Sequence, residues 1–328
     1  MDQREVIIVG GGIAGLSAAI YLGRAQRDTL VIDSGHSMAK WEPSVENYLG
    51  FPKGVNGEDL LKFGREQAER CEVEFVEDEI VDLAAEGDKG FSLRGKKTEY
   101  RCRSLLLATG IFHIPPDIPG VSDCLGHSMF FCKDCDGVRV RGKRIAICGA
   151  NNEAVEYALG MLHYSACVMV ATNAEKITWD KQHAGWLKEY EIPVETDRIV
   201  DVDHRKTQIR ALNFADEHEV KIDNIFTTRG DIFHTELAEK LGCKIDSEGQ
   251  IKVDQCMRTS VSRFYAAGCV TPANCQMIIA AGQGAAAAQA INRDMFEESL
   301  KNHELRRFRE EQLEDEKTVP EGAEEPAK

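Results

Sequence analysis

Apolar residues in this chain gather into short β-branched runs separated by stretches of helical spacing. The run from Glu5 to Val9 (EVIIV) has no polar alternation inside it, as suits a strand covered on both faces of a parallel sheet. It leads directly into GGGIAG and then LSAAIYLGRA, whose spacing and good helix formers predict a helix. A second apolar run, Thr29 to Ile32, ends at Asp33. The order is strand, glycine turn, helix, strand, acid. It returns from Lys143, where Arg144 to Cys148 predicts a strand, Glu153 to Leu159 a helix and Ala166 to Val170 the next strand. Late in the chain SRFYAAGCV (262–270) predicts a strand. NCQMIIAAGQGAAAAQAI (274–291) predicts a helix rich in alanine, with glycines for close packing. From about Lys301 the pattern fails, and the last dozen residues, rich in Pro and Glu, are predicted to be disordered. Leu305, Phe308 and Leu313 are spaced for one apolar helical face just before them.

A length of 328 residues exceeds what one core usually supports, so two domains are expected. No apolar run approaches the roughly 18 residues needed to cross a bilayer. The opening MDQREVIIVGGG reads as a buried strand entering a turn, not as a signal peptide, so a soluble, cytoplasmic protein with no membrane partner is predicted. The net charge of −15, without a basic stripe, argues against nucleic acid. It suits either a solvated acidic surface or docking on basic faces of other proteins. Of the 11 cysteines, Cys71, Cys102, Cys124, Cys148, Cys167, Cys243 and Cys256 stand alone and read as small core hydrophobes. Only Cys132 with Cys135, and more loosely Cys269 with Cys275, are near enough in sequence to share chemistry.

Gly10, Gly12 and Gly15 fill the GxGxxG positions after the first strand. The first permits the tight turn, the second lets backbone approach a pyrophosphate and the third lets helix pack on strand. The helix N-terminus then faces the phosphates, and Asp33 stands where an acid would meet a ribose hydroxyl. The second unit keeps Gly149 and Ala154 at the outer positions of GANNEA but has Asn151 in the middle, where a side chain crowds the phosphate position. The following ATNAEKITWD holds no arginine cluster for a 2′-phosphate. Glu175 has the spacing of a ribose acid, which leaves weak use of NADH open.

Taken together, VGGGIAGLSAAIYLGRA, VENYLGFPKGVNGEDLLKFGREQAER, LLLATG, FCKDCDG, RTSVSRFYAAG and QMIIAAGQGAAAAQA resemble, in this order, the low-molecular-weight thioredoxin reductase family. The likeness covers about residues 5 to 297. It implies an α/β protein of two Rossmann-like three-layer domains, the second inserted in the first. Residues 1–116 and 247–297 would form an FAD-binding domain, 117–246 an inserted NAD(P)-type domain carrying the CxxC, and 298–328 a charged tail. A homodimer is implied as well.

The resemblance also assigns roles. Cys135 lies next to the flavin ring, Cys132 attacks the substrate disulfide, and Asp136 gives and takes the proton. The types fit: a thiolate nucleophile, a second thiol to resolve the mixed disulfide, and an acid for the leaving sulfur. A zinc ribbon would want a second CxxC, which is absent, and structural disulfides are uncommon in the cytoplasm. Lys133 favours thiolate formation and Asp134 opposes it. For FAD the pattern implies Gly10, Gly12, Ile13, Ala14 and Gly15 at the pyrophosphate. It puts Asp33 and Ser34 at the adenosine ribose, with Ile80, Ala108, Thr109 and Gly110 in the cleft. Asn47, Gln276 and Met277 are implied at the ring, and Gly268 and Cys269 near the ribityl chain.

Three departures stand out. Cys269 replaces the family's aspartate after AAG, and with Cys275 it makes either a second redox pair or an inert lining. GHSMAKWEPS replaces a glycine-rich loop, so Lys40 and Trp41 either touch the cofactor or, for Trp41, serve core or interface. Both halves of the NADPH site are altered. The expected function is a disulfide reductase acting on thioredoxin or a similar dithiol protein, fed by a ferredoxin-type carrier and not by NADPH. The alternatives are an ordinary NADPH-dependent thioredoxin reductase, a dithiol oxidase, and a non-enzymatic FAD redox sensor.

Overall fold

The computed structural model describes residues 3–305. The chain opens with β1 (Arg4–Val9), α1 (Ile13–Arg24), β2 (Thr29–Asp33), α2 (Gly57–Glu69) and β3 (Glu74–Glu77). A meander follows of β4 (Ile80–Ala85), β5 (Phe91–Gly95) and β6 (Glu99–Leu107). Strands β3, β2, β1 and β6 lie side by side in parallel. Period-two alternation decides what each face of β1 meets. Val6 and Ile8 pack with Ala18 and Leu22 of α1, whereas Ile7 and Val9 pack with Leu83, Phe91 and Leu93 of the meander. Both faces are covered from Val6 to Val9, which is why those four residues are all apolar.

After β7 (Ile111–His113) the chain builds a second sheet from β8 (Met129–Phe130), α3 (Lys133–Asp136), β9 (Ile145–Cys148), α4 (Asn152–Met161), β10 (Val168–Ala171), α5 (Lys181–Glu189) and β11 (Val194–Glu195). It continues through β12 (Ile199–Arg205), β13 (Gln208–Phe214), β14 (Glu219–Lys221) and β15 (Asn224–Thr227). The parallel order is β11-β10-β9-β15-β8, and β12-β13-β14 form a separate antiparallel layer. Ile145 and Ile147 face α4, while Ala146 and Cys148 face the antiparallel layer. The three-layer arrangement of the first domain is thus repeated.

The chain returns through β16 (Asp231–Phe233), which pairs antiparallel with β7, so the exit and return strands lie side by side. Next come α6 (Glu236–Lys240), β17 (Phe264–Ala266) and α7 (Met277–Lys301). Ala238 and Cys243 pack in the same cluster as Ile7 and Phe91 of the first domain. β17 pairs with β6 at Phe264↔Leu105, extending the first parallel sheet. α7 lies directly on α1, because a Cβ at Gly284 would overlap the carbonyl of Ala14. The second Rossmann-like domain is therefore inserted in the first.

Two element boundaries differ from expectation. The strand expected over 262–270 is confined to Phe264–Ala266, since Gly268 turns the chain at a φ of 84°. The last helix begins at Met277 rather than near Asn274, because Cys275 is bonded back to Cys269, and it extends past Ile291 to Lys301. Leu305 is exposed, and Phe308, Leu313 and the rest of the expected tail lie outside the described residues. No helix among the described residues is long and apolar enough to cross a membrane.

Candidate active site

Two turns of similar sequence frame two different sites. In the first, Gly10 has a φ of 110° and a Cβ there would overlap the Ala108 carbonyl, while one at Gly15 would overlap the Gly10 carbonyl. Only glycine permits this approach of turn, strand and helix. α1 starts at Gly12 with no side-chain cap, so its first N–H groups are left for an anion. Asp33 braces the turn, its Oδ1 accepting from Gly11 N at 2.9 Å. Gly268 approaches Ala14 from the other side, 3.0 Å from a would-be Cβ to the Ala14 Cβ, and its N–H donates to Gln283 Oε1. Thr109 donates its hydroxyl to the His234 carbonyl, which ties the turn after β6 to the segment after β16. Ile80 is buried in the cluster beneath the sheet, Ser34 Oγ lies 3.3 Å from His36 Nδ1, and Lys40 reaches back to the Gly35 carbonyl at 2.7 Å.

In the second turn the helix end is already satisfied. Asn151 Oδ1 accepts from Ala154 N at 3.0 Å, and Thr178 donates both its N–H and its hydroxyl to the Ala150 carbonyl. Asp180 bonds Asn152 Nδ2, and Glu153 adds a carboxyl to the first turn of α4. Glu175 pairs with Arg229 at 3.3 Å.

The cysteine pair sits at the seam between the domains. Cys132 caps α3, its Sγ accepting from Cys135 N at 3.0 Å, and the two sulfurs are joined in a disulfide. Gln276, the residue before α7, puts its Nε2 3.3 Å from both Cys132 Sγ and Cys135 Sγ. Its Oε1 accepts from Asn47 Nδ2 at 3.0 Å. Three segments far apart in sequence thus meet at one side-chain amide, and Met277 opens the helix directly behind it. Lys133 and Asp134, with opposite expected effects on a thiolate, pair with each other at 2.8 Å.

Asp136 is buried, with Oδ1 2.7 Å from Arg139 Nη1 and Oδ2 without a partner among the described residues. Burial raises its pKa, and the Arg139 guanidinium opposes the rise. Glu42, beside Asp136 and Arg139, is pushed up to about 7, first by burial and then by the Asp136 charge. Trp41 meets Phe112 edge-on and Phe131 at a tilt, and His113 stacks on Phe131, forming an aromatic wall across the seam.

Arg139, Glu42 and Gln283 were not among the expected site residues. Arg139 had a signal, since it follows Asp136 at an i,i+3 spacing. Gln283 follows Gln276 by two helical turns. Glu42 had none, because its burial depends on the approach of the inserted domain.

The model of the pyridine nucleotide-disulphide oxidoreductase family matches residues 4–290. The thioredoxin reductase of Treponema pallidum is 32% identical over 298 residues, covering 87% of this chain and 95% of the relative. Among solved structures, HlmI superposes with a TM-score of 0.86 at 26% identity, covering 92% of this chain and 95% of HlmI. The atypical thioredoxin reductase TRi of Desulfovibrio vulgaris Hildenborough is 30% identical, with a TM-score of 0.52, and the match covers 90% and 99% of the two chains. The chain belongs to the FAD-dependent pyridine nucleotide-disulphide oxidoreductases, in their thioredoxin reductase branch. It is an FAD-binding oxidoreductase acting on disulfides, and the uncapped start of α1 and the glycine cradle fit that cofactor.

Proposed function

We propose that this chain takes electrons from a one-electron carrier of the ferredoxin type, not from NADPH, and passes them through FAD and the Cys132–Cys135 pair to a thioredoxin-like disulfide. The observation behind the donor reading is the state of the α4 N-terminus. A nicotinamide dinucleotide would have to displace the Asn151 cap, worth about 1 kcal/mol, and part Thr178 from the Ala150 carbonyl. Its phosphates would then face Glu153 and Asp180. The start of α1 presents none of these obstacles.

FAD would rest its pyrophosphate on Gly10, Gly12, Ile13, Ala14 and Gly15, with Asp33 and Ser34 toward the adenosine ribose. Ile80, Ala108, Thr109, Gly110, Gly268 and Cys269 would line the rest of the cleft, with Lys40 at its rim. Asn47, Gln276 and Met277 would border the ring. Once reduced by the carrier, bound FAD would supply the two electrons that open the Cys132–Cys135 disulfide. Cys132 as thiolate then attacks the partner's disulfide and forms a mixed disulfide. Cys135 attacks Cys132, closes the pair and frees the partner's second thiol. Asp136, raised by burial, carries the proton to the leaving sulfur. The aromatic wall of Trp41, Phe112 and Phe131 keeps water from this exchange.

Anaerobic titration of the holoenzyme with reduced ferredoxin, NADPH and NADH tests the donor. Reduced ferredoxin is expected to bleach the flavin absorbance while either nicotinamide leaves it oxidised. Rapid turnover of thioredoxin with NADPH would overturn the donor assignment. A homodimer is part of the same reading, supported by a concavity of about 980 Å³ between α1 and α2 lined by Leu16, Ile20, Phe51 and Phe63. Sedimentation at the mass of one chain would exclude it. Seven unpaired cysteines favour a reducing, cytoplasmic setting.

A further inference from the structure

Four cysteines are paired in this protein, and only two of them belong to the CxxC. Cys269 and Cys275 form a second disulfide across the loop that joins β17 to α7. Its ends differ. Cys269 is half-buried and follows Gly268, whose N–H is held by Gln283; the nearby Thr271 is fully buried and bonds both Gly268 O and Gln283. Cys275 is exposed, and it directly precedes Gln276, the residue whose amide touches both sulfurs of the CxxC. The second disulfide thus adjoins, along the chain, the residue that contacts both sulfurs of the first. This exposed sulfur also stands just before the N-terminus of a 25-residue helix, the end whose partial positive charge favours an anion. Cross-linking a loop of seven residues stabilises less than closing a long one, and the remaining cysteines of the chain are free thiols. A structural purpose explains neither the exposure nor the position.

We propose that Cys269–Cys275 is a second redox-active disulfide, which takes reducing equivalents from Cys132–Cys135 and presents them at the surface through Cys275. The idea rests on the function proposed above and inserts one exchange in it, so that Cys132 attacks the second disulfide and Cys275, in its place, attacks the partner's. Cys132 thiolate attacks Cys275 Sγ, the Cys269–Cys275 bond breaks, and Cys269 leaves as a thiolate and is protonated. Cys135 then attacks Cys132, closing Cys132–Cys135 and releasing Cys275 as a thiolate. One dithiol and one disulfide have exchanged two electrons and two protons, with no other reactant. Cys275 next attacks the partner protein's disulfide, and Cys269 resolves the mixed disulfide. The division of labour follows the exposure of the two sulfurs, with the outer one attacking and the inner one resolving.

The test counts thiols in the full-length holoenzyme after anaerobic photoreduction with a deazaflavin, acid quench, denaturation and alkylation, read by intact mass. The oxidised protein has seven alkylatable thiols. All 11 are expected after reduction. A count of nine in which peptide mapping finds Cys269 and Cys275 still joined would overturn the second centre while leaving the CxxC chemistry intact, whereas nine with Cys132 and Cys135 joined is the relay caught after its exchange. A count that stays at seven would overturn both. In the double variant Cys132→Ser with Cys135→Ser, photoreduction is expected to leave the count at seven. A rise there would overturn the relay by showing direct reduction of the second pair. Cys135→Ser alone, in which Cys132 has no partner and is already a thiol, is expected to accumulate a Cys132–Cys275 linked peptide without added reductant, and its absence would also overturn the relay. Replacing both Cys269 and Cys275 by Ser is expected to slow thioredoxin turnover at least tenfold, and a rate within twofold of the parent protein would refute the proposed role.

Discussion

Asp136 and Arg139 stand one helical turn apart and share a 2.7 Å ion pair through Oδ1 alone, leaving Oδ2 buried and without a partner among the described residues. Two influences compete on this carboxyl. Removal from water raises its pKa, the guanidinium lowers it, and the net direction is upward. An acid held in this way keeps its proton at a pH where an exposed aspartate has lost it, which is what protonation of a departing thiolate requires.

Asp136→Asn is expected to lower thioredoxin turnover by about 10²-fold and at the same time to stabilise the protein. The sign follows from linkage. A carboxyl whose pKa is raised on folding binds more protons folded than unfolded, so its cost is absent below the unfolded pKa and grows as pH rises through the window above it. The variant's Tm should therefore exceed that of the parent protein at about pH 8 and match it near pH 3. Arg139→Leu removes the opposing charge, so the limb of the pH–rate profile that reports Asp136 should move to higher pH. Arg139→Lys should restore most of the shift. An unchanged profile in Arg139→Leu would remove Asp136 from the proton path.

Glu42 gives a second pH-dependent handle. It lies in the loop after Trp41 and is raised to about 7 by burial, then by Asp136, with Arg139 opposing. The loop carrying it is clamped across the seam, because a Cβ at Gly126 would overlap the Trp41 carbonyl, and Arg139 Nη2 donates to the Gly126 carbonyl at 3.4 Å. Glu42 costs stability once the unfolded carboxyl ionises, from about pH 4.5 upward, and the cost levels off above its folded pKa of about 7. Glu42→Gln should therefore stabilise the protein by ~3 kcal/mol at about pH 8 and leave it unchanged near pH 4. Thermal unfolding at the two pH values checks this.

What the sequence made legible was whatever depends on neighbours in the chain. The runs at β1 and β2 and the glycines between them fixed a strand, turn and helix before any tertiary contact was known. At Asn151 a single side chain in a glycine position already pointed to an altered second site, and the structure adds how it is filled, by a cap to Ala154. Contacts across long separations were hidden. Asn47, Cys135 and Gln276 meet only because the inserted domain folds back on the first. The pairing of Lys133 with Asp134 could not be chosen from sequence, since either residue had other partners open to it. The boundary of α7 lies later than expected for a similar reason: the bond from Cys275 to Cys269 holds 274–276 in a loop.

Gly15→Ala tests the cofactor cradle. The added methyl would overlap the Gly10 carbonyl, which is backbone and cannot swing aside. The turn and α1 must separate, spoiling the N-terminal anion site and the packing of α1 under α7. The purified variant is expected to lose most of its FAD absorbance and to be destabilised by about 1–3 kcal/mol. The same substitution at Gly282 on the last helix meets nothing within 4 Å and should keep the full flavin content.

Gln276 offers the sharpest test of how the protein body acts on the sulfurs. Its Nε2–H₂ faces both Cys132 and Cys135 at 3.3 Å, and its Oε1 is held by Asn47, which fixes the amide in that orientation. A donor aimed at a sulfur stabilises the thiolate over the thiol, so Gln276 should lower the thiol pKa of the reduced pair. Gln276→Glu keeps the shape and reverses the electrostatics, placing a carboxylate where a donor stood. In the reduced enzyme, alkylation of Cys132 by iodoacetamide at about pH 7 should then slow by roughly tenfold, with its pH profile displaced to higher pH. Gln276→Leu should fall between the two. Flavin content serves as the control, because a loss of FAD would point to a cofactor effect and not to one on sulfur. If Gln276→Glu reacts at the parent rate with its flavin in place, the amide does not tune the thiols, and the 3.3 Å contacts belong to the closed disulfide alone.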